Sequence, residues 1–311
     1  MSKPRSRVAD YLVYIAVRCV VCVLQSLSFR AATRFADFLA WLAYHVDRRH
    51  RQVADGNLRH AFPELNDRQR DRRVRQVYRH FCGLLLDIVQ LPRVMGIHTW
   101  RRHMELIGGK VVVEGLLSNR PLLLVTAHFG NWELGGYALG LLGFRTYAIA
   151  RKLDNPYLDD FFRRRFRERT HQQILDKNDD YERIQRVLAE GGALGTLADQ
   201  DAGAKGMFVD FFGRPASTHK AVALLAIEYN ATLVVISTPK IGEPARYECE
   251  AVDAFRAAEY ASRPDAVRAI TERFSGAIER MIRRHPEQYF WLHRRWKHQP
   301  PPKKGKKLAA A

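Results

Sequence analysis

From about residue 108 the chain alternates two kinds of segment, and this restricts the fold more than any other feature. Short β-rich runs (KVVVEG, PLLLVTA, FRTYAIA, ALGTLAD, ATLVVIST and YECEAV) are separated by the helix-length stretches NWELGGYALGLL, NPYLDDFFRRRFRERTHQQIL, YERIQRVLAE and THKAVALLAIEYN. Strands that alternate with helices form a largely parallel sheet with helices on both faces. The expected fold is therefore α/β, with a mainly parallel central sheet covered by helices across residues 108–298. A ligand site in such a fold lies at the carboxyl ends of the strands.

Residues 31–107 read as a helical region. AATRFADFLAWLAYHV has apolar residues at helical spacing, and NDRQRDRRVRQVYRHFCGLLLDIVQL follows the punctuation AFPEL, with Asn66 placed as a helix N-cap. Residues 1–30 read as a membrane anchor: after the basic MSKPRSR, the run YLVYIAVRCVVCVLQSLSF at 11–29 is long enough to span a bilayer core. Arg18 lies within that run, and a mid-span arginine costs about 2.5 to 3.5 kcal/mol on insertion scales. A crossing helix and a shallow or tilted anchor both stay open. A last helix is expected over about 264–284, and the basic tail 299–311 is expected to be disordered.

Hydrophobic residues make up 47% of the 311-residue chain, enough for a sizeable core, so the 51 Lys and Arg against 33 Asp and Glu decorate a folded protein. The net charge of +18 favours an anionic partner: nucleic acid, an acidic protein, or a membrane surface rich in acidic lipid. Nucleic acid is the remote reading, because the sequence has no helix-turn-helix, RNP motif or zinc finger and its N-terminus is strongly apolar. Cys19 and Cys22 form a CxxC without a second ligand pair, so no metal is expected, and the scattered thiols fit a reducing, cytoplasm-facing environment.

HFGNWE, residues 128–133, stands where the apolar run PLLLVTA turns into a helix. Five positions apart on one helix, His128 and Glu133 would face about 140° away from each other. They meet only if His128 lies on the loop leaving the strand and Glu133 in the first helical turn, with Gly130 and Asn131 at the corner. The carboxylate then holds the imidazole in one tautomer, and His128 acts as general base for a hydroxyl. A satisfied structural histidine is the competing reading of the pair taken alone.

HFGNWE resembles the H-x-x-x-x-E signature of the bacterial lipid A biosynthesis acyltransferases, the late lauroyl and myristoyl transferases, within the glycerolipid acyltransferase superfamily. The resemblance extends through NLRHAFPEL, ARKLDNPYLDDFFRRRFR, ADQDAGAKGMFVDFFGRPASTHKAVALLA and QYFWLHRRWK, most of the chain from about residue 30. It implies transfer of a fatty acyl group from a carrier thioester, on acyl carrier protein or coenzyme A, to a hydroxyl of a lipid A precursor or related glycolipid. It also implies an inner-membrane enzyme with its catalytic domain on the cytoplasmic face, an anionic membrane surface as partner, and no cofactor. His128 and Glu133 would be catalytic. Arg165, with Arg164 beside it, matches the family's functional arginine and would face the oxyanion and bind the donor; a solvated basic helix face is the alternative. Asn131, Asp199, Asp201, Phe212 and Gly213 would bind the acceptor or shape the site: Asp199 and Asp201 would bind its polar head or hold an arginine, with a plain acidic turn as the alternative; Phe211, Phe212 and Gly213 would pack and form a turn or line an acyl slot; and Thr218 would cap a helix. The basic surface at 163–169 would receive acidic acyl carrier protein. The sequence departs from its relatives at RERTHQQIL, where R-x-x-x-G is common, so the acceptor stays open: a lysophospholipid, an aminolipid or a phosphoinositide glycolipid is the alternative. Hydrolysis, with water in place of the hydroxyl, is the second enzymatic reading.

Overall fold

The computed structural model describes residues 6–176 and 179–300, so residues 301–311 of the expected basic tail lie outside it. Four helices come first: α1 (Arg7–Ser26), α2 (Phe29–Val46), α3 (Arg48–Ala61) and α4 (Asp67–Val94). Asn66 caps α4 as expected, in a reciprocal box with Gln69 that satisfies two otherwise orphaned N–H groups. The buried stripe of α2 is Ala32, Ala36, Ala40 and Tyr44, and the three alanines let its backbone approach α4 closely.

The remainder alternates as the sequence pattern implies. In chain order it runs β1 (Met104–Ile107), α5 (Gly109–Leu117), β2 (Leu122–Thr126), α6 (Trp132–Leu141), β3 (Thr146–Ala150), α7 (Pro156–Phe162), β4 (Gln172–Asp176), α8 (Tyr181–Ala189) and β5 (Ala193–Leu197). A hairpin of β6 (Met207–Phe211) and β7 (Arg214–Thr218) follows, then α9 (Ala221–Glu228), β8 (Thr232–Ser237), β9 (Lys240–Gly242), β10 (Arg246–Arg256) and α10 (Ala266–Arg284). The sheet order is β1-β10-β8-β2-β5-β3-β4, with β9 on β10. It is mostly parallel; β10 runs antiparallel to β8 and β9. Leu123 and Val125 of β2 and Leu233 and Val235 of β8 meet Phe274, Ile278 and Met281 of α10 in the main core, which explains why those strands read as unbroken apolar runs.

Two expectations fail. KVVVEG is the body of α5, a helix whose Val112 packs under β2 and β8 while Val113 stays exposed; the strand of that region is MELI just before it. Tertiary contact here overrides the β preference of three consecutive valines. The stretch NPYLDDFFRRRFRERTHQQIL is not one helix either. After α7 the backbone widens into a π-type turn, Arg163–Arg167, and then enters β4 at the edge of the sheet.

Candidate active site

The parallel pairing of β2 with β5 builds the site. Thr126 lies opposite Leu197, so His128 and Asp199, each two residues further on, emerge side by side at the carboxyl ends of adjacent strands. Asp199 takes hold of His128 with both oxygens: Oδ1 accepts from ring Nδ1 at 2.9 Å, and Oδ2 accepts the backbone N–H at 3.1 Å. With its proton on Nδ1, the ring presents Nε2 as a lone pair. Burial alone would raise the Asp199 carboxyl, but the charge and hydrogen bond of His128 outweigh it and hold the group at about 2. Burial likewise works against the imidazolium, yet Asp199 first and the Glu133 charge second keep the His128 pKa above its ordinary value. The result is a stronger base than a free imidazole.

The corner is fixed from three sides. Gly130 has φ +56°, and a Cβ there would stand 2.0 Å from the Thr238 carbonyl oxygen, so only glycine fits. Asn131 caps α6: its side chain accepts from Leu134 N–H, while its own N–H donates to the Thr238 carbonyl at 2.8 Å. The segment after α10 pairs with the loop, with Gly130 N–H donating to Gln288 O and Phe290 N–H to His128 O. Asn57 of α3 ties that segment down, donating to the carbonyls of Trp291 and His293 at 2.8 Å each. His80 of α4 contacts the Gly130 carbonyl from behind, and burial drives its pKa to about 4, so it is neutral there.

Glu133 does stand in the first turn of α6, but its carboxylate is not the hydrogen-bond partner of His128. Arg167 clasps it with Nε at 3.1 Å and Nη2 at 2.7 Å, both side chains being largely buried. The expectation of one His128–Glu133 unit is corrected: Asp199 orients the imidazole, and Glu133 acts on it through charge while anchoring Arg167. The arginine block divides between solvent and the site. Arg164 is exposed and paired with Asp160, and Arg165 is exposed; the wide turn brings Arg167, two positions on, to the inner side. No helical periodicity announces such a turn, so the sequence alone leaves the register open among Arg163, Arg164, Arg165 and Arg167.

Trp132, whose ring meets that of His128 at a centroid distance of 5.1 Å, lines a largely apolar groove of about 510 Å³. α1, α2 and α4 supply Val20, Leu24, Phe35, Leu39 and Val89, and Phe162 and Phe166 join from the other wall. Glu133 and Arg167 are the charged groups at the end near Trp132, with Asp159 also on the wall. A groove of this size and apolar lining has room for a flexible hydrocarbon.

The family model described as bacterial lipid A biosynthesis acyltransferase matches residues 1–298. The chain belongs to that family. Among curated relatives, the Escherichia coli lipid A biosynthesis lauroyltransferase is 26% identical over 296 residues, 93% of this chain and 92% of its own. The palmitoleoyltransferase of the same organism is 25% identical over 255 residues, 81% and 80% of the two chains. A lipid A biosynthesis acyltransferase of Haemophilus influenzae is 22% identical over 275 residues, 87% and 83%. This lipid A acyltransferase family member is thus an acyltransferase, and its remaining motif residues can be placed around the site. Asp201 does not hold an arginine; it accepts from His298 Nδ1 at 2.6 Å and from Gly203 N–H, closing its own loop. Phe212 and Gly213 form a two-residue hairpin turn with φ of +56° and +74°, the mirror-image turn that matches strand twist. Phe212 packs on Phe62 and Trp291 in the core, away from the groove, so it does not line an acyl slot. Thr218 caps no helix: it ends β7, and its hydroxyl accepts from buried Arg295, which also donates to Ser217 O and lies over the Phe211 ring. The WLHRRWK motif of this acyltransferase is therefore scaffolding for the loop that carries Asp199.

Proposed function

We propose that this protein transfers a fatty acyl group from an acyl carrier thioester to a hydroxyl of a lipid A precursor at the cytoplasmic face of the inner membrane. The observation that carries the reading is the pair of His128 with buried Asp199, its imidazole in ring contact with Trp132 on the wall of an apolar groove, in a chain whose relatives are named for lipid A acylation. The acyl chain lies in the groove and its thioester reaches Trp132. Nε2 of His128 takes the proton of the acceptor hydroxyl as the oxygen attacks the carbonyl carbon. The C–S bond breaks, the imidazolium returns the proton to the departing thiolate, and an ester is formed with no covalent enzyme intermediate. Arg167, fixed by Glu133, sets the positive potential at the thioester end, where charge develops on the carbonyl oxygen.

The exposed Arg164, Arg165 and Arg169 flank Arg167 in the chain and suit an acidic acyl carrier protein in preference to coenzyme A, chiefly through encounter rate. The apolar surface of α1 supports the membrane location. Mass analysis of lipid products, with lipid A precursor and either thioester donor, tests donor and acceptor together. The precursor should gain the mass of one acyl group; free fatty acid as the sole product would replace transfer with hydrolysis.

A further inference from the structure

α1 and α2 each press one face on the protein and leave an apolar face bare. The inner stripe of α1 is Asp10, Tyr14, Val17, Val21 and Leu24, at helical spacing; Val8, Leu12, Ile15, Cys19 and Val23 point outward. α2 adds Phe38, Trp41, Leu42 and Val46, with Trp41 56% and Val46 72% exposed. Contiguous bare apolar surface of this size marks a membrane or partner contact.

The attachment of α1 decides how such a surface meets lipid. Near its first turn the Asp10 carbonyl accepts from buried Asn155 Nδ2 at 2.8 Å. At the other end Gln25 donates to Val89 O at 3.1 Å and Gln90 to Leu24 O at 2.8 Å. Midway, Tyr14 packs edge-on against Phe161 of α7, and Arg18 folds back on both rings. The helix is about 30 Å long, the thickness of a hydrocarbon core. If α1 stood across a bilayer, Phe161 would sit near its centre and carry Asp159, Asp160 and Arg164 to that depth, where charge is strongly disfavoured.

We propose that α1 does not cross the bilayer: α1 and α2 lie side by side in the plane of one leaflet and form a single docking face. Val20, Phe35, Leu39 and Leu85 belong both to this bare surface and to the wall of the groove, so the groove opens directly onto lipid acyl chains. The charges suit an anionic leaflet. Arg7, Arg30 and Arg34 are exposed along the pair, and Arg48 and Arg49 at the start of α3 just beyond it, whereas Asp10 is buried, Asp37 is held by Arg79 and Asp47 by His50. The inference rests on the membrane location proposed above and fixes its geometry.

The test uses the full-length chain, with Cys19, Cys22, Cys82 and Cys249 replaced by alanine, on vesicles of phosphatidylethanolamine and phosphatidylglycerol. Nitroxides on Val8→Cys, Ile15→Cys, Val23→Cys and Trp41→Cys report depth, and a membrane-impermeant reductant reports the side. All four should sit at one shallow depth, reached from the protein side only. Trp41→Glu combined with Leu42→Glu should weaken vesicle binding about tenfold or more, with unchanged thermal unfolding. A deepest label at Ile15, with Val8→Cys reached only from the lumen, would establish a crossing helix and leave acyl transfer untouched. Labels shielded from lipid in a dimer would assign the face to a second copy and overturn the proposal, and failure to bind vesicles would remove the membrane location as well.

Discussion

Asp199→Asn tests the clasp on His128 with the smallest change of shape. The carboxylate offers two acceptors to two donors of one residue, the ring Nδ1–H and the backbone N–H. An amide has one acceptor oxygen, so either the backbone donor is orphaned or the NH₂ group faces Nδ1 and selects the tautomer with the proton on Nε2, which cannot accept another. A carboxyl held at about 2 instead of 3.8 corresponds to about 2 kcal/mol favouring the charged pair. That stability is present above the unfolded value and is lost as pH falls toward about 2, so Asp199→Asn should remove it at neutral pH. For activity the base must be neutral. The raised His128 pKa places the acid limb of kcat/KM above the ordinary value of 6.5, with rate falling as pH falls through it. Asn at 199 should move that limb to lower pH and reduce the plateau by roughly 10²- to 10⁴-fold, the usual contribution of a positioned base. The assay is acyl transfer against pH for both proteins, after matching their unfolding profiles in a membrane mimic. An unchanged limb and plateau would refute the role assigned to Asp199.

Two further outcomes follow from the same geometry. Gly130→Ala should destabilise the fold by about 2 kcal/mol or more, since the new Cβ meets the Thr238 carbonyl at 2.0 Å in a left-handed backbone; denaturant midpoints measure it. Arg167→Lys should lower kcat by at least about tenfold, because an ammonium cannot reproduce the two-point clasp on Glu133, whereas Arg165→Ala should leave kcat nearly unchanged; steady-state rates at saturating carrier-protein donor separate the two.

Much of the scaffold was legible because it is written locally. The apolar runs of β2 and β8, the Asn66 box and the turn chemistry at Gly213 depend on residues close in sequence. The corner at Gly130 was legible for the same reason. What was not legible depends on strand order. Asp199 ends a recognisable strand, but only the placement of β5 beside β2 carries it across 71 positions to His128, and strand adjacency has no local signature. Glu133, five residues from the histidine, was the nearer carboxylate in sequence and the wrong hydrogen-bond partner. The widened turn hid which of the neighbouring arginines, Arg167 among them, reaches Glu133, and β4 was hidden by the polar start of its run, Gln172 and Gln173. The valines of α5 misled in the opposite direction, since packing beneath β8 and β10 outweighs their strand preference.

The most direct test of the account is the rate of acyl transfer to lipid A precursor by His128→Ala, with chemistry limiting and with membrane content and thermal unfolding equal to those of the parent. Transfer should fall by roughly 10²-fold or more, as expected for removal of a positioned general base, with the acyl donor still bound in its groove. Retention of more than about a tenth of the parental rate would make the histidine a structural residue and contradict the assignment of His128 as the base.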